Sequence, residues 1–287
     1  MTKTTRQRNS KGQLLPVIGY ILYEGPSLLD GGPIVVIANG LSSKNRKTGK
    51  MIQTYILRAD ISPCEAKSCG ASVSVCGTCP MQGDVIDNTH ARWIEPRGKA
   101  NDRLTCKGRQ RVDSACYVNV GQGPNMTYGA YKRGRYERFD PTNAKHVAHF
   151  QGRNIRFGAY GDPAAVPVAV WDMLAGLSDS TTGYTHQHDR AGSLAYQRHC
   201  MASCHTKAKA EQLQGQGWKT FRTELDASRT PHVEAYCPAY QTAGRIKCND
   251  CGMCKGSNAK RSVVVPAHGS PAQMAIYRKL VTLGVAE

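Results

Sequence analysis

The sequence predicts a mixed α/β protein whose second half is built on a parallel sheet, either an open sheet or part of a barrel. Three observations support this prediction. Short β-branched runs fill residues 16–58, strand and helix patterns alternate from about residue 150, and cysteines are grouped in the turn-rich loops. Alternating strands and helices are typical of parallel sheets, because each helix returns the chain to the edge where the next strand begins.

We therefore expect three parts in the chain. Residues 1–13 are predicted to be a disordered basic arm. Residues 14–125 form a β-rich region that contains the first cysteine group, and residues 126–287 form a β/α core that contains the second group. A chain of 287 residues is long enough to bury a large core in such an arrangement.

The β-rich region contains three apolar runs, which Gly31-Gly32-Pro33 and a polar loop separate. Runs of this kind, bounded by glycine, proline and polar residues, indicate strands. The predicted strands are residues 17–23, 34–38 and 52–58. Residues 59–116 are rich in turns, and the segments 117–120 and 128–136 fit either a strand or a helix.

The β/α core begins with a predicted strand at residues 154–160. Asp162 is a good N-cap and Pro163 suits the first helical position, so we expect a helix over residues 163–177. A second helix is expected over residues 206–216. The remaining predicted strands are residues 182–185, 199–203, 218–223 and 232–236, and the last of these is expected to end the series.

The chain carries a net charge of +17, which indicates an anionic partner, and nucleic acid is the commonest such partner. No apolar run approaches the roughly 18 residues of a membrane span. The N-terminal residues are basic and lack the apolar segment of a secretory signal, so we expect a cytoplasmic protein without a membrane partner. In a reducing cytoplasm, twelve cysteines favour metal binding over disulfide bonds.

The second cysteine group is the most informative feature of the sequence. Cys248, Cys251 and Cys254 follow a Cys-x2-Cys-x2-Cys spacing, and Cys237 precedes them with Pro238 directly after it. In bacterial ferredoxins the fourth ligand is likewise a cysteine followed by proline. We expect these four cysteines to bind an iron–sulfur cluster of the 4Fe-4S type, with zinc as the alternative metal.

The first cysteine group contains a second candidate metal site. Cys76 and Cys79 form a Cys-Gly-Thr-Cys knuckle, in which the glycine lets backbone N–H groups turn towards the sulfur atoms. A knuckle supplies two ligands and needs two more. The sequence leaves two pairs open for this role, Cys64 with Cys69 and Cys106 with Cys116.

Three polar residues follow the predicted parallel strands. Asp162, His186 and His205 each come at or just beyond the carboxyl end of a strand. Parallel α/β sheets and barrels place their active sites at these ends. We therefore expect the three side chains to face one pocket as catalytic candidates.

Several stretches of the chain resemble a cysteine-rich family of bacteriophage and plasmid proteins. The resemblance covers most of the chain and implies a viral or mobile-element setting, but no particular reaction. Its motifs are Phe-Gly-Ala-Tyr-Gly-Asp-Pro at 157–163, Gly-Tyr-Thr-His at 183–186, Cys-Met-Ala-Ser-Cys at 200–204, Gly-Trp-Lys-Thr-Phe-Arg at 217–222, and the cysteines Cys237, Cys248, Cys251 and Cys254.

A more distant similarity is to radical S-adenosylmethionine enzymes, which combine a partial parallel β/α barrel with a cysteine-ligated cluster at its open end. It implies S-adenosylmethionine as a further cofactor and a radical-type reaction. The Cys-x3-Cys-x2-Cys loop of those enzymes is missing from this chain, and its Cys-x2-Cys-x2-Cys run lies after the barrel-like region.

These observations support two main hypotheses. The first is an iron–sulfur enzyme of redox or radical type that acts on an anionic substrate such as a nucleotide or nucleic acid. The second is a non-catalytic nucleic-acid-binding protein that two structural zinc ions stabilise. A third interpretation, a phage accessory protein that binds a host protein, is neither supported nor excluded by the sequence.

Overall fold

A computed structural model describes residues 11–13, 15–41, 45–83, 85–87, 109–111 and 114–284. Within these residues the fold is mixed α/β, as predicted, with a six-stranded sheet, a five-stranded sheet and a two-stranded ribbon. Most of the predicted basic arm and the candidate ligand Cys106 lie outside the described residues. In the described part of the chain, no helix is both long and apolar enough to cross a membrane.

The strands, in chain order, are β1 Gly19–Pro26, β2 Pro33–Asn39, β3 Ile52–Arg58, β4 Val85–Asp87, β5 Arg109–Arg111, β6 Glu137–Arg138, β7 Asn154–Tyr160, β8 Ser180–Thr182, β9 Tyr184–Thr185, β10 Met201–Cys204, β11 Thr220–Glu224, β12 Glu234–Tyr236 and β13 Ser262–Pro266. The α-helices are α1 Pro63–Cys69, α2 Val73–Cys76, α3 Gly123–Lys132, α4 Ala144–Val147, α5 Val168–Leu177, α6 Lys207–Gly215, α7 Pro238–Gln241, α8 Cys248–Cys251 and α9 Pro271–Thr282. Short 3-10 helices include Pro163–Ala165 and Pro80–Gln82.

The six-stranded sheet has the order β6-β1-β2-β3-β7-β8. Strands β1, β2 and β3 pair antiparallel, whereas β7 pairs parallel with both β3 and β8. The N-terminal strands and the first strands of the β/α region therefore share one sheet. Its central strand β2 is almost completely buried, which fits its continuous run of apolar, β-branched residues.

The five-stranded sheet has the order β12-β13-β11-β10-β9, and all of its neighbouring strands are parallel. Helix α6 begins at the N-cap Thr206, whose side chain accepts a hydrogen bond from the amide of Lys209. This helix packs against β10 and β11 and buries Ala210 and Leu213. Strand β8 of the first sheet leads through Gly183 directly into β9 of the second, which joins the two sheets.

The prediction of one continuous helix over residues 163–177 is wrong. Asp162 does cap a helical turn that starts at Pro163, but that turn is a 3-10 helix ending at Ala165. Val166 then adopts an extended conformation, with φ −120° and ψ 140°, and α5 starts after Pro167. The residue before a proline is sterically excluded from the helical region, and this divides the predicted helix in two.

The prediction that residues 232–236 end the strand series is also wrong. Strand β13 follows the second cysteine group and lies between β11 and β12. Its buried Val263, Val264 and Val265 form a short apolar run of the kind found in parallel sheets. Of the two ambiguous segments, residues 117–120 have no regular structure, whereas residues 128–132 belong to α3.

A buried ion pair connects strands β11 and β12 of the five-stranded sheet. The Arg222 side chain is fully buried and forms two hydrogen bonds to Glu234, of 2.9 and 2.7 Å. It also donates to the carbonyl oxygen of Ser228 at 2.7 Å. Since Glu234 belongs to the edge strand β12, this pair holds the edge of the sheet against its centre.

We predict that Arg222→Leu destabilises the protein by about 3–5 kcal/mol, because it removes the guanidinium that neutralises the buried carboxylate of Glu234 and leaves that carboxylate only the hydrogen bond from the amide of Thr230. Urea unfolding of the two proteins measures the difference. The matched control is Arg198→Leu, which breaks an exposed pair with Asp172 and should cost less than about 1 kcal/mol. An equal decrease in the free energy of unfolding for the two variants would contradict the assigned role of the buried pair.

Candidate functional site

A cavity of about 200 Å³ lies against one face of the five-stranded sheet. Successive side chains of a strand point to opposite faces, and Phe221 and Thr223 of β11 line this cavity whereas Arg222 does not. Strand β7 of the first sheet and helix α9 also contribute to its walls. Of the cysteines that the structure describes, seven line this cavity: Cys76, Cys79, Cys116, Cys237, Cys248, Cys251 and Cys254.

The three catalytic candidates Asp162, His186 and His205 all line this cavity. Parallel pairing of β9 with β10 places His186 and His205, which directly follow these strands, at the same edge of the sheet. Asp162 reaches this edge from the end of β7, after the turn at Gly161. The structure therefore brings together the three residues that the sequence places at strand ends.

Asp162 is a buried structural anchor at this edge. One oxygen of its carboxyl group accepts hydrogen bonds from the hydroxyl of Thr185 at 2.7 Å and the amide of Ala164 at 3.0 Å. The other oxygen accepts from the amide of His186 at 2.8 Å. Burial raises the pKa of Asp162 to about 6, although these hydrogen bonds act in the opposite direction.

His186 and His205 form a pair with their Nε2 atoms 3.1 Å apart. The two rings lie in nearly parallel planes, 13° apart, with their centres separated by 5.3 Å. Burial is the main reason why the pKa of His205 falls to about 4, and it also holds the pKa of His186 well below its ordinary value. Near neutral pH both imidazoles are therefore uncharged.

The Cys76–Cys79 knuckle is held in place by Gln187, the residue after His186. The buried Gln187 side chain donates to the carbonyl oxygen of Cys76 at 3.2 Å. Its oxygen accepts from the hydroxyl of Thr78 at 3.3 Å. The knuckle and the strand-end histidines are consequently parts of one hydrogen-bonded unit.

The four cysteines that the sequence offers as further ligands of this knuckle differ in their placement. Cys116 lines the cavity and raises the pKa of Cys79, after the larger effect of burial, so these two thiols are neighbours. Cys64 lies on α1 and is not part of the cavity wall. Cys69 is buried and disulfide-bonded, and its sulfur is therefore not a free thiol, contrary to the expectation of metal binding. Cys106 lies outside the described residues.

The second cysteine group gathers at another part of the cavity wall. The pKa of Cys254 is raised to about 12, mainly by burial and to a smaller extent by the thiols of Cys237, Cys248 and Cys251. Cys237 and Cys251 likewise raise the pKa of Cys248, and Cys237 raises that of Cys251, in each case after burial. Every pair among the four thiols thus interacts electrostatically, as neighbouring groups do.

Hydrogen bonds from other segments position this group. The amide of Cys248 donates to the carbonyl oxygen of Lys47 at 3.1 Å, and Asn154 of β7 donates to the carbonyl oxygen of Asn249 at 2.8 Å. The amide of Cys237 donates to the carbonyl oxygen of Val264 at 3.0 Å. The cysteine loop is therefore attached to the N-terminal region, to β7 and to β13.

Polar and cationic groups surround the four thiols. The hydroxyl of Tyr184 forms a hydrogen bond that lowers the pKa of Cys254, and the amide of Met253 does the same for Cys251. Arg156 lowers the pKa of Cys248, and its guanidinium carbon lies 5.7 Å from the centre of the Tyr184 ring. Positive charge and hydrogen-bond donors stabilise thiolate ligands in metal and cluster sites.

Among the described residues, no group of three or more histidine, cysteine, aspartate or glutamate side chains converges closely enough to hold a single metal ion. Comparisons with protein-family models, with curated proteins and with solved structures found no match to this chain.

Sequence reasoning missed three residues that shape the site. Gln187 is the middle residue of a His-Gln-His run, and its amide group suits the bridging role that it has here. Arg156 and Tyr184 occupy cavity-facing positions of β7 and β9. A strand periodicity of two indicates such positions, but it does not show which face of the strand borders a cavity.

We predict that Gly77→Ala destabilises the protein by about 1–3 kcal/mol. Gly77 has φ +56°, and an added Cβ would lie 2.2 Å from the side-chain oxygen of Gln187. The control is Gly176→Ala within α5, where a Cβ meets nothing within 4 Å and should stabilise the helix by up to about 1 kcal/mol. Chemical unfolding measures both, and an undisturbed Gly77→Ala protein would contradict the packing described here.

Proposed function

We propose that this protein is an iron–sulfur enzyme whose cluster is held by Cys237, Cys248, Cys251 and Cys254. The observation that carries the proposal is the mutual proximity of these four thiols on the wall of a cavity that also contains polar strand-end residues. A 4Fe-4S cluster, once bound, would supply one-electron transfer. The proposed arrangement of the parallel strands around this cavity is a partial barrel.

The donor set fits such a cluster in its chemistry. Each of the four thiolates of a 4Fe-4S cluster binds a different iron atom, so the ligands need not converge on a single ion. The raised pKa values of Cys248, Cys251 and Cys254 mean that these thiols carry protons in the metal-free protein. Cluster binding would therefore release protons, as ligation by thiolates generally does.

In this proposal the substrate binds and reacts in the rest of the cavity. Asp162 fixes the backbone of His186, and His186 and His205 supply uncharged imidazoles at the cavity wall. Apolar residues such as Phe221 and Val265 line the same cavity. The chain can thus bind a ligand next to groups that exchange protons, in an environment that strengthens polar interactions.

An anionic substrate is part of the proposal, and the net charge of +17 supports it. Lys47 and Arg156 place positive groups on the cavity wall itself. A nucleotide or a nucleic acid has the charge that such a surface attracts.

We predict that the protein purified without oxygen is brown and absorbs near ~400 nm, with roughly four iron atoms and acid-labile sulfide per chain. Single serine variants at Cys237, Cys248, Cys251 or Cys254 should lose most of this iron, because each removes a cluster ligand. Iron, sulfide and zinc analysis together with the absorbance spectrum provide the measurement.

The matched control is Cys64→Ser, since Cys64 is a free cysteine that is not part of the cavity wall. It should retain the iron and the colour of the parent protein. Colourless protein that carries stoichiometric zinc would overturn the cluster and favour the zinc-stabilised alternative. Equal iron loss from Cys64→Ser would show that the assigned ligands are wrong.

We also predict that the protein binds a single-stranded oligonucleotide with an affinity that falls steeply with salt. Lysine and arginine contacts to phosphates release counterions, so log K should decrease linearly with log salt concentration. Fluorescence anisotropy over a salt series measures the slope. An uncharged peptide nucleic acid of the same sequence serves as the control, and a slope near zero for the oligonucleotide would remove nucleic acid as the partner.

A further inference from the structure

The hydrogen bonds of His205 determine which of its ring nitrogens carries the proton. The hydroxyl of Tyr277 donates its single hydrogen to the carbonyl oxygen of Thr223 at 2.5 Å. The Nδ1 atom of His205 lies 3.4 Å from that same hydroxyl oxygen, and His205 also has the Thr223 carbonyl as a hydrogen-bond partner. Both oxygens can only accept from His205, so Nδ1 must be the donor.

This assignment decides the direction of the hydrogen bond between the two histidines. A neutral imidazole carries one N–H, so the Nε2 atom of His205 has a lone pair. His186 faces that atom with its own Nε2 at 3.1 Å, within hydrogen-bond range. The Nε2 atom of His186 therefore carries the hydrogen, and its Nδ1 atom is left without one.

We propose that Nδ1 of His186 is the proton acceptor of the cavity, and that His205 is a positioning residue that fixes the tautomer of His186. The inference rests on the proposed function in that the cavity is taken as the reaction site. His186 is half-buried and lines the cavity, whereas His205 is 5% exposed and is anchored by Tyr277 and Thr223. The more exposed His186 can therefore meet a ligand in the cavity, and the more buried His205 can hold His186 in position.

The proposed step balances in protons without any further reactant. A ligand in the cavity loses one proton from an acidic C–H, N–H, O–H or S–H group, and Nδ1 of His186 gains it. The resulting imidazolium donates its Nε2–H to the lone pair of His205, and a hydrogen bond from a charged donor is stronger than one from a neutral donor. His205 thereby stabilises the charge that develops on His186.

The test is imidazole nitrogen NMR of the full-length protein, labelled with 15N-histidine and studied near neutral pH. We expect opposite tautomers, with His186 protonated at Nε2 and His205 protonated at Nδ1. His186→Gln and His205→Gln identify the two sets of signals by their loss. His199→Gln is the control, because His199 pairs with Asp172 away from the cavity wall and its removal should leave both sets in place.

Two variants test the positioning role of His205. His205→Leu removes the acceptor, so His186 should lose its single tautomer and show a mixture of both. His205→Gln places a side-chain oxygen near the former Nε2 position and should restore the Nε2–H form of His186. If either variant fails to fold, the spectrum of the unmodified protein still decides the tautomer assignment.

Several outcomes would overturn the inference. These are the reversed tautomers, the same tautomer in both rings, a permanently charged ring, and an unchanged His186 signal in His205→Leu. Iron content is recorded on the same samples as a separate readout. Protein without iron but with the expected tautomers would reject the proposed cluster and leave the proton acceptor in place, whereas the converse result would reject only the acceptor.

Discussion

The buried carboxyl group of Asp162 is the constraint on which the cavity depends. Its oxygens accept hydrogen bonds from Ala164, Thr185 and His186, and its own amide donates to the carbonyl oxygen of Val75 at 2.6 Å. These contacts connect the end of β7, the end of β9 and the helix that leads into the Cys76 knuckle. The carboxyl group of Asp162 accepts all of these hydrogen bonds only when its donors are arranged as they are here. It therefore fixes the relative positions of these segments as well as stabilising them.

Gln187 extends this network to the cysteines of the first group. Because its side chain bonds both to Cys76 and to Thr78, the knuckle cannot move independently of the strand end that carries His186. The second cysteine group is attached separately, through Lys47, Asn154 and Val264. The cavity thus has two supported thiol-bearing parts, and the histidine pair belongs to the part that Asp162 and Gln187 control.

Burial affects the charge of the second cysteine group and of the histidine pair in different ways. Buried thiols near one another resist ionisation, and each additional thiolate makes the next one less favourable. Arg156 lowers the pKa of Cys248 and Tyr184 lowers that of Cys254, but both pKa values stay raised, and a bound cationic centre would remove the remaining penalty. The imidazoles of His186 and His205 stay uncharged until one of them takes up a proton, which is the state required of a general base. The proposed electron-transfer centre and the proposed proton acceptor would thus line the same cavity.

The sequence alone predicted the mixed α/β class, the strands at residues 52–58 and 154–160, the N-cap Asp162, a helix in residues 206–216, and the strand-end placement of His186 and His205. These features depend on local periodicity and capping, which short windows of sequence contain. It did not predict the position of β13 between β11 and β12, the proximity of Cys116 to Cys79, the bridge made by Gln187 or the direction of the histidine hydrogen bond. Those features depend on contacts between residues far apart in the chain, such as Cys76 with Gln187 and His205 with Tyr277, and only the tertiary structure brings these partners together.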